Sequence, residues 1–132
     1  MDQQQQEILF KLSMSEQHIR QLQQQLQAVE ESMIELRSLD LGLDDIKDSA
    51  GKDMLASLGR GIFVKAKLLS EDLIVDVGSK NLVKKRIPET KKIIKDQTEK
   101  LHEVKKELEE RVDEINKELT KLIFEAQERE EI

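Results

Sequence analysis

The chain has 132 residues, of which 38% are charged, 37% hydrophobic and 2% aromatic, with a formal net charge of -6. This composition suits long solvated helices better than a thick globular core, and the negative charge argues against a general nucleic-acid binder. The absence of cysteine excludes disulfides and thiolate chemistry. No run approaches the ~20 apolar residues of a membrane span, and no basic amino terminus leads into an apolar signal core. A cytoplasmic protein is therefore expected.

The first predicted element is a helix over residues 7–38, because its apolar residues follow a heptad repeat. Their spacing alternates between four and three residues for four heptads, with Ser15 filling one position. Such a repeat is typical of a coiled coil rather than of a globular helix. The glutamine-rich stretches occupy outer positions, so we interpret them as a solvated face. The repeat consists of Ile8, Leu12, Ser15, Ile19, Leu22, Leu26, Val29, Met33 and Leu36.

Periodicity stops after Ser38, and residues 39–53 are predicted to form a linker. Two glycines and five aspartates replace the apolar repeat there. The density of carboxylates prompts comparison with a calcium-binding loop, but Ser49 stands where such a loop needs glycine. No metal site is therefore expected.

Residues 54–87 are predicted to form two β-hairpins in tandem. Apolar and polar residues alternate in residues 62–68 and 73–77 and more weakly in 82–85, and residues 54–58 are expected to pair back across Gly59. Gly59-Arg60-Gly61 lacks the third glycine of a dinucleotide fingerprint and precedes a strand, so we interpret it as a tight turn. The predicted apolar face consists of Ile62, Val64, Leu68, Leu73, Val75, Val77 and Val83.

Small isolated hairpins are marginally stable in water, and the sequence provides no further element to cover this face. We therefore predict that strands of partner subunits cover it, which makes these seven residues the oligomerisation surface. The runner-up to an assembling subunit is a coiled-coil tether that binds folded partners.

A second helix is predicted over residues 88–130, with an interruption in its repeat. The step from Val104 through Leu108 and Val112 to Ile115 inserts eleven residues into the heptad pattern, which would locally unwind a supercoil. The two helices should fold back as an antiparallel hairpin with the strands between them, a mostly helical α+β domain over residues 1–132. The predicted repeat is Ile94, Gln97, Leu101, Val104, Leu108, Val112, Ile115, Leu119, Leu122 and Ala126.

Five apolar residues lie outside these repeats near the two ends of the chain. One interpretation is a hydrophobic plug, in which the helix ends repack these residues on each other. The other is an exposed surface that binds apolar clients. The residues are Leu9, Phe10, Met14, Ile123 and Phe124.

A run of basic residues stands out on this acidic chain. The aspartates of the predicted linker, from the same or a neighbouring subunit, would neutralise it, or it would dock an acidic partner. The run contains Lys80, Lys84, Lys85, Arg86, Lys91, Lys92 and Lys95.

The segments LGRGIFVKA (residues 58–66) and LIVDVGS (73–79), followed by Val83 and set between two coiled-coil arms, resemble the alpha-type subunit of an archaeal-like prefoldin. The resemblance implies an assembly of two alpha and four beta subunits whose hairpins form a β-barrel platform. It also implies an ATP-independent chaperone without cofactor, which captures non-native proteins at its coiled-coil tips and passes them to a group II chaperonin. Two departures are Ser57, where the family commonly has proline, and Lys80-Asn81, where it usually has Gly-Tyr.

Enzymatic activity is not expected. His18 and His102 lie on different predicted helices, and no motif brings a nucleophile, a base and an acid together.

Overall fold

The computed structural model describes residues 2–130, and side chains as far as Glu128. Met1, Glu131 and Ile132, which the predicted domain includes, lie outside the described residues. Two long helices enclose two antiparallel hairpins in the sequence, which confirms the predicted fold class. Of the helices described, none has an apolar stretch long enough to cross a membrane. The elements are α1 (Gln3–Ile46), β1 (Asp53–Gly59), β2 (Ile62–Lys67), β3 (Leu73–Asp76), β4 (Leu82–Lys85) and α2 (Ile87–Glu130).

The internal contacts of the chain divide it into two units. The terminal unit contains α1 as far as Met33 and α2 from Lys100 onward, and the strand unit contains residues 34–99. Each unit has its own buried residues.

Helix α1 ends at Ile46, so the predicted linker over residues 39–53 is wrong for its first eight residues. The heptad repeat continues because Asp40 occupies one inward position and Leu43, which is only 5% exposed, the next. Asp40 and Gly42 suggested a break in the sequence, but one polar residue in a seam does not end a helix. The turn that follows places Asp48 at a φ of 59° and Gly51 at a φ of 83°.

The repeat of α2 is also more regular than predicted. Gln97 and Val104, which were assigned to the seam, are exposed, whereas Thr98 and Lys105 are partly buried. The predicted eleven-residue insertion is therefore wrong. A lysine can lie in a seam because its methylene stem covers apolar surface while its ammonium group reaches water. The observed seam is Ile87, Lys91, Ile94, Thr98, Leu101, Lys105, Leu108, Val112, Ile115, Leu119, Leu122 and Ala126.

The terminal unit is a two-helix coiled coil. Ile8 and Leu22 of α1 and Ile115 of α2 are its most buried large side chains. The ammonium of Lys105 lies 3.7 Å from the carboxylate of Glu30, which aligns the two helices in this unit. Since both side chains are partly exposed, the pair contributes only about 0.2–1 kcal/mol, and apolar burial along the seam provides most of the stability.

The strand unit is centred on a small cluster of buried residues. Leu43 of α1 and Ile87 and Ile94 of α2 form it, and Leu36, Ile46 and Leu73 pack against it partly buried. Leu73 belongs to β3, so part of the apolar sheet face is covered by this chain's own helices. The expectation that the chain covers none of this face is wrong for Leu73.

The two hairpins form separate two-stranded sheets. In the first, Met54 pairs with Ala66 and Ala56 with Val64, and a bulge follows between Ser57 and Gly59. Residues paired across antiparallel strands share a face, so β1 adds apolar residues to the predicted face of β2. In the second hairpin, Val75 pairs with Val83.

The turn between β3 and β4 is conformationally strained. The amide of Asn81 donates to the carbonyl oxygen of Gly78 at 2.9 Å, and the two residues between them, Ser79 and Lys80, have φ values of 50° and 62°. A turn of this kind needs positive φ at both central positions, where glycine and asparagine are favoured. Lys80 stands where the resemblance leads us to expect glycine.

We predict that Lys80→Gly stabilises the protein by about 0.5–1 kcal/mol, because the strain of a left-handed side chain, about 1–2 kcal/mol, exceeds the entropy cost of glycine. Chemical denaturation followed by circular dichroism measures the change. The matched control is Lys84→Gly, which replaces an exposed lysine within β4 and should destabilise. A decrease in stability for Lys80→Gly comparable to that of the control contradicts the prediction.

Candidate functional site

The five apolar residues near the chain ends form an exposed set, which we call the terminal apolar cluster. Leu9, Phe10, Met14, Ile123 and Phe124 are between 48% and 67% exposed. The structure therefore does not have the hydrophobic plug that was one interpretation of these residues. Both phenylalanines are among the most exposed members, so their large apolar surface is available for binding.

The heptad repeat explains why these residues are exposed. If the seam positions are lettered a and d, Ile8 and Leu122 are d residues, and the two residues after each occupy e and f. Leu9 and Ile123 are thus both e residues, and Phe10 and Phe124 are both f residues. Position f is directed away from the partner helix, and position e lies beside the seam. The two helices carry the same apolar pair at the same positions.

The register of the terminal unit brings the two pairs to the same level. Glu30 and Lys105 are paired, and the helices run in opposite directions. Phe10 lies twenty residues before Glu30 on α1. Glu125, the neighbour of Phe124, lies twenty residues after Lys105 on α2, so Phe10 and Phe124 are at nearly the same level. Sequence periodicity predicted which residues leave the seam, but this alignment required the ion pair, which the sequence did not reveal.

The predicted oligomerisation surface is largely exposed in the single chain. Ile62, Val64, Val77 and Val83 are between 40% and 59% exposed, whereas Leu68 and Val75 are partly buried and Leu73 packs on the helices. The strand register extends this surface with residues that sequence reasoning did not list. These are Met54, Ala56 and Ala66.

The opposite face of the first hairpin also carries exposed apolar residues. Leu55 pairs with Lys65, and Phe63 pairs with Ser57, so apolar and polar residues alternate there. The face that contains Val64 is uniformly apolar and is the stronger candidate for contact with another chain.

One member of the basic run is neutralised within the chain. The ammonium of Lys91 contacts the carboxylate of Asp44 and lies 3.6 Å from that of Asp40. The hydrogen bond to Asp44 raises the pKa of Lys91 above its ordinary value, partial desolvation opposes this, and the charge of Asp40 adds to the increase. The predicted neutralisation by the aspartate-rich segment is therefore present at Lys91.

The other basic residues have no ion pair within residues 2–128. Lys80, Lys84, Arg86, Lys92 and Lys95 are exposed, and Lys85 is partly buried. The docking of an acidic partner by this run stays a prediction.

A charged cleft of about 480 Å³ lies beside Lys91 in the strand unit. The amide of Asp48 donates to the carboxylate of Glu71, which ties the loop between the hairpins to the end of α1. The ion pair with Lys91 engages the carboxylate of Asp44, and this hydrogen bond engages that of Glu71. In the part of the chain that the structure describes, no group of histidine and acidic residues is arranged to hold a metal ion. The cleft is lined by Asp44, Lys47, Asp48, Glu71, Asp72, Arg86, Ile87, Pro88 and Lys91.

We predict that Asp44→Asn lowers the pKa of Lys91 toward its ordinary value, because the largest cause of its increase is removed. Titration of the Lys91 side chain by NMR measures this, with Asp45→Asn as the matched control at an adjacent carboxylate. Since the pKa is raised in the folded chain, the pair stabilises below the ordinary pKa of lysine and loses this effect as pH rises through the folded-state pKa. An equal shift in both variants contradicts the assignment.

Comparison with known proteins gives one family. A model of the prefoldin subunit matches residues 15–131, which includes both hairpins and most of both helices. The prefoldin alpha subunit of Methanosphaera stadtmanae is 35% identical over 69 residues, which cover 52% of this chain and 50% of that protein. The match thus spans about half the length of that relative.

One solved structure is similar to this chain over most of the length of both chains. It is a chain in the cryo-EM structure of filamentous PFD from Methanocaldococcus jannaschii, with a TM-score of 0.76 at 23% identity. The superposition covers 87% of this chain and 97% of the other. Leu9, Phe10 and Met14 precede the residues matched by the family model, so the amino-terminal half of the cluster rests on the geometry alone.

Proposed function

The chain belongs to the prefoldin family, and on this basis we propose that it is the alpha-type subunit of an ATP-independent chaperone. The subunit captures unfolded polypeptides and passes them to a group II chaperonin in the cytoplasm. The observation that carries this proposal is the exposure of the terminal apolar cluster, because an apolar surface of this kind fits clients that share exposed hydrophobic residues rather than a sequence.

The chemistry of the cluster suits a variable ligand. Phenylalanine offers a large apolar surface with few torsions to fix, so the same side chains can contact different clients. Burial of one such side chain contributes about 1.5–3 kcal/mol before the cost of ordering is subtracted. The coiled coil of one subunit therefore binds a client weakly. When several subunits are held in one assembly, a client bound to one coiled coil meets the next at a raised effective concentration.

The assembly is proposed to form through the hairpins with beta-type subunits, in a hetero-oligomer with a joint β-barrel. Support comes from the exposed apolar face around Val64 and from the open strand edges, since each hairpin is a separate two-stranded sheet. The similar Methanocaldococcus jannaschii structure is that of a filamentous assembly. The existence of two hairpins in this chain is in keeping with the alpha type.

A coiled-coil tether is the second candidate function. Ile34 and Leu41 are seven residues apart on α1, and both are about 60% exposed. Residues at this spacing lie on one side of a helix and could contact a folded partner. The tether and the chaperone therefore use different exposed residues of the same helices.

We predict that replacing Phe10 and Phe124 together by serine abolishes the ability of the assembled protein to suppress aggregation of a chemically unfolded test protein without nucleotide. Both side chains are exposed, so the substitutions remove binding surface without opening a cavity. Light scattering measures aggregation. The matched control is Ile34→Ser, which removes an equally exposed apolar side chain elsewhere on α1 and should retain full suppression.

Full suppression by the double variant would defeat the proposed role of the cluster. Loss of suppression in the Ile34→Ser control instead would favour the tether surface. Handover is measured in the same assay as recovery of the test protein when a group II chaperonin and ATP are added. Charge reversal at Lys84 and Arg86, two exposed cations, should weaken this recovery if the basic run docks the chaperonin.

For assembly, we predict that Val64→Asp dissociates the oligomer while the helices stay folded, because it places a charge on the uniformly apolar face of the first hairpin. Sedimentation velocity measures the mass, and circular dichroism measures the helix content. Leu55→Asp is the matched control on the opposite face, where Lys65 lies across from it, and should leave the oligomer intact. An unchanged mass for Val64→Asp refutes this role of the face.

A further inference from the structure

The two sides of the coiled coil differ in charge at the level of the terminal apolar cluster. The helices are antiparallel and their seams face each other, so equal heptad letters lie on the same side of the pair. One side consists of e and b residues, and we call it the neutral flank. Its members are Gln6, Leu9, Ser13, Thr120, Ile123 and Gln127.

The other side consists of g and c residues, and we call it the charged flank. It carries three acids and two bases, and its one apolar member is Met14. All twelve residues of the two flanks are exposed, so solvent access does not distinguish them. The members of the charged flank are Glu7, Lys11, Met14, Lys121, Glu125 and Glu128.

The side chains of the neutral flank are suited to bind an unfolded chain. Leu9 and Ile123 stand at its centre, beside the seam, and offer apolar surface from both helices. Glutamine amides and serine or threonine hydroxyls at the remaining positions both donate and accept hydrogen bonds. An extended polypeptide has unpaired backbone amides and carbonyls that need such partners. A client on the charged flank would instead require ionised groups to lose water, which is costly.

We propose that the client binds to the neutral flank only. An uncharged, apolar, extended stretch of non-native polypeptide lies against Leu9 and Ile123, Phe10 and Phe124 extend its contact surface outward, and Met14 takes no part. This inference rests on the proposed chaperone function and narrows its site, since Met14 was predicted to bind clients together with the other four residues.

The size of the flank limits what one arm holds. Residues 6 to 13 of α1 span about 10 Å at 1.5 Å per residue. An extended chain rises about 3.3 Å per residue, so a client places about three residues along this length. Short apolar stretches of this kind occur throughout unfolded proteins, which agrees with a chaperone of broad client range.

Site-specific photo-crosslinking tests the choice of flank. A benzophenone amino acid is placed at Leu9 and, in a separate sample, at Met14, in the full assembled complex with a chemically unfolded test protein. These positions are matched because their side chains are 49% and 52% exposed on the same helix. We expect client adducts from position 9 and only background from position 14.

Affinity provides the second measurement. Leu9→Ser combined with Ile123→Ser should weaken binding of a fluorescently labelled unfolded protein about tenfold or more, whereas Met14→Ser should change it less than about twofold. Circular dichroism and sedimentation verify that each variant is folded and assembled.

The outcomes separate this inference from the proposed function. Equal adducts at both positions, or an equal loss of affinity in Met14→Ser, overturn the one-flank inference while the client-binding role stands. Unchanged affinity in every variant, including the pair Phe10→Ser and Phe124→Ser, defeats the proposed function itself. Adducts between copies of this chain in the absence of client, which added client does not displace, would assign the flank to self-association and overturn the inference.

Discussion

The pairing of α1 and α2 along a heptad seam within each unit is the constraint on which the rest of this molecule depends. Three phenylalanines and no tyrosine or tryptophan cannot form a thick core, so apolar burial is spread thinly along the seam. Such a seam is tolerant of sliding by a heptad unless polar residues oppose it. Two ion pairs oppose such sliding, Lys91 with Asp40 and Lys105 with Glu30. A shifted register would leave a lysine of the seam without its acid.

The seam also determines which apolar residues of the helices stay exposed. Its a and d positions contain most of the large apolar residues of both helices, and most of the others are exposed. Exposed apolar residues occur in the terminal apolar cluster, on the hairpins, where two strands cannot cover their own faces, and along α1 at Ile34 and Leu41. Exposed apolar surface here is a consequence of an architecture that lacks a globular core.

Sequence periodicity predicted the helices, the tandem hairpins and the apolar residues that leave the seam, because each depends on a local pattern. It failed where a polar residue takes an inward position. Asp40 looked like the end of α1, and Thr98 and Lys105 looked like outer residues, so the seam was shifted onto Gln97 and Val104. In the structure the Thr98 hydroxyl donates to the carbonyl of Ile94 at 2.8 Å, and Lys105 reaches Glu30. The partner helix creates the environment of Lys105, and the sequence of one helix does not contain it.

The occurrence of Leu9-Phe10 and Ile123-Phe124 at equal heptad positions gives the end of the coiled coil an approximate twofold axis perpendicular to the helices. A segment laid on it meets leucine or isoleucine followed by phenylalanine from either direction. Such a surface does not distinguish the amino-to-carboxyl direction of what it contacts, unlike a strand edge, where hydrogen-bond geometry fixes polarity. Under the proposed function, an unfolded chain would therefore be held in either orientation.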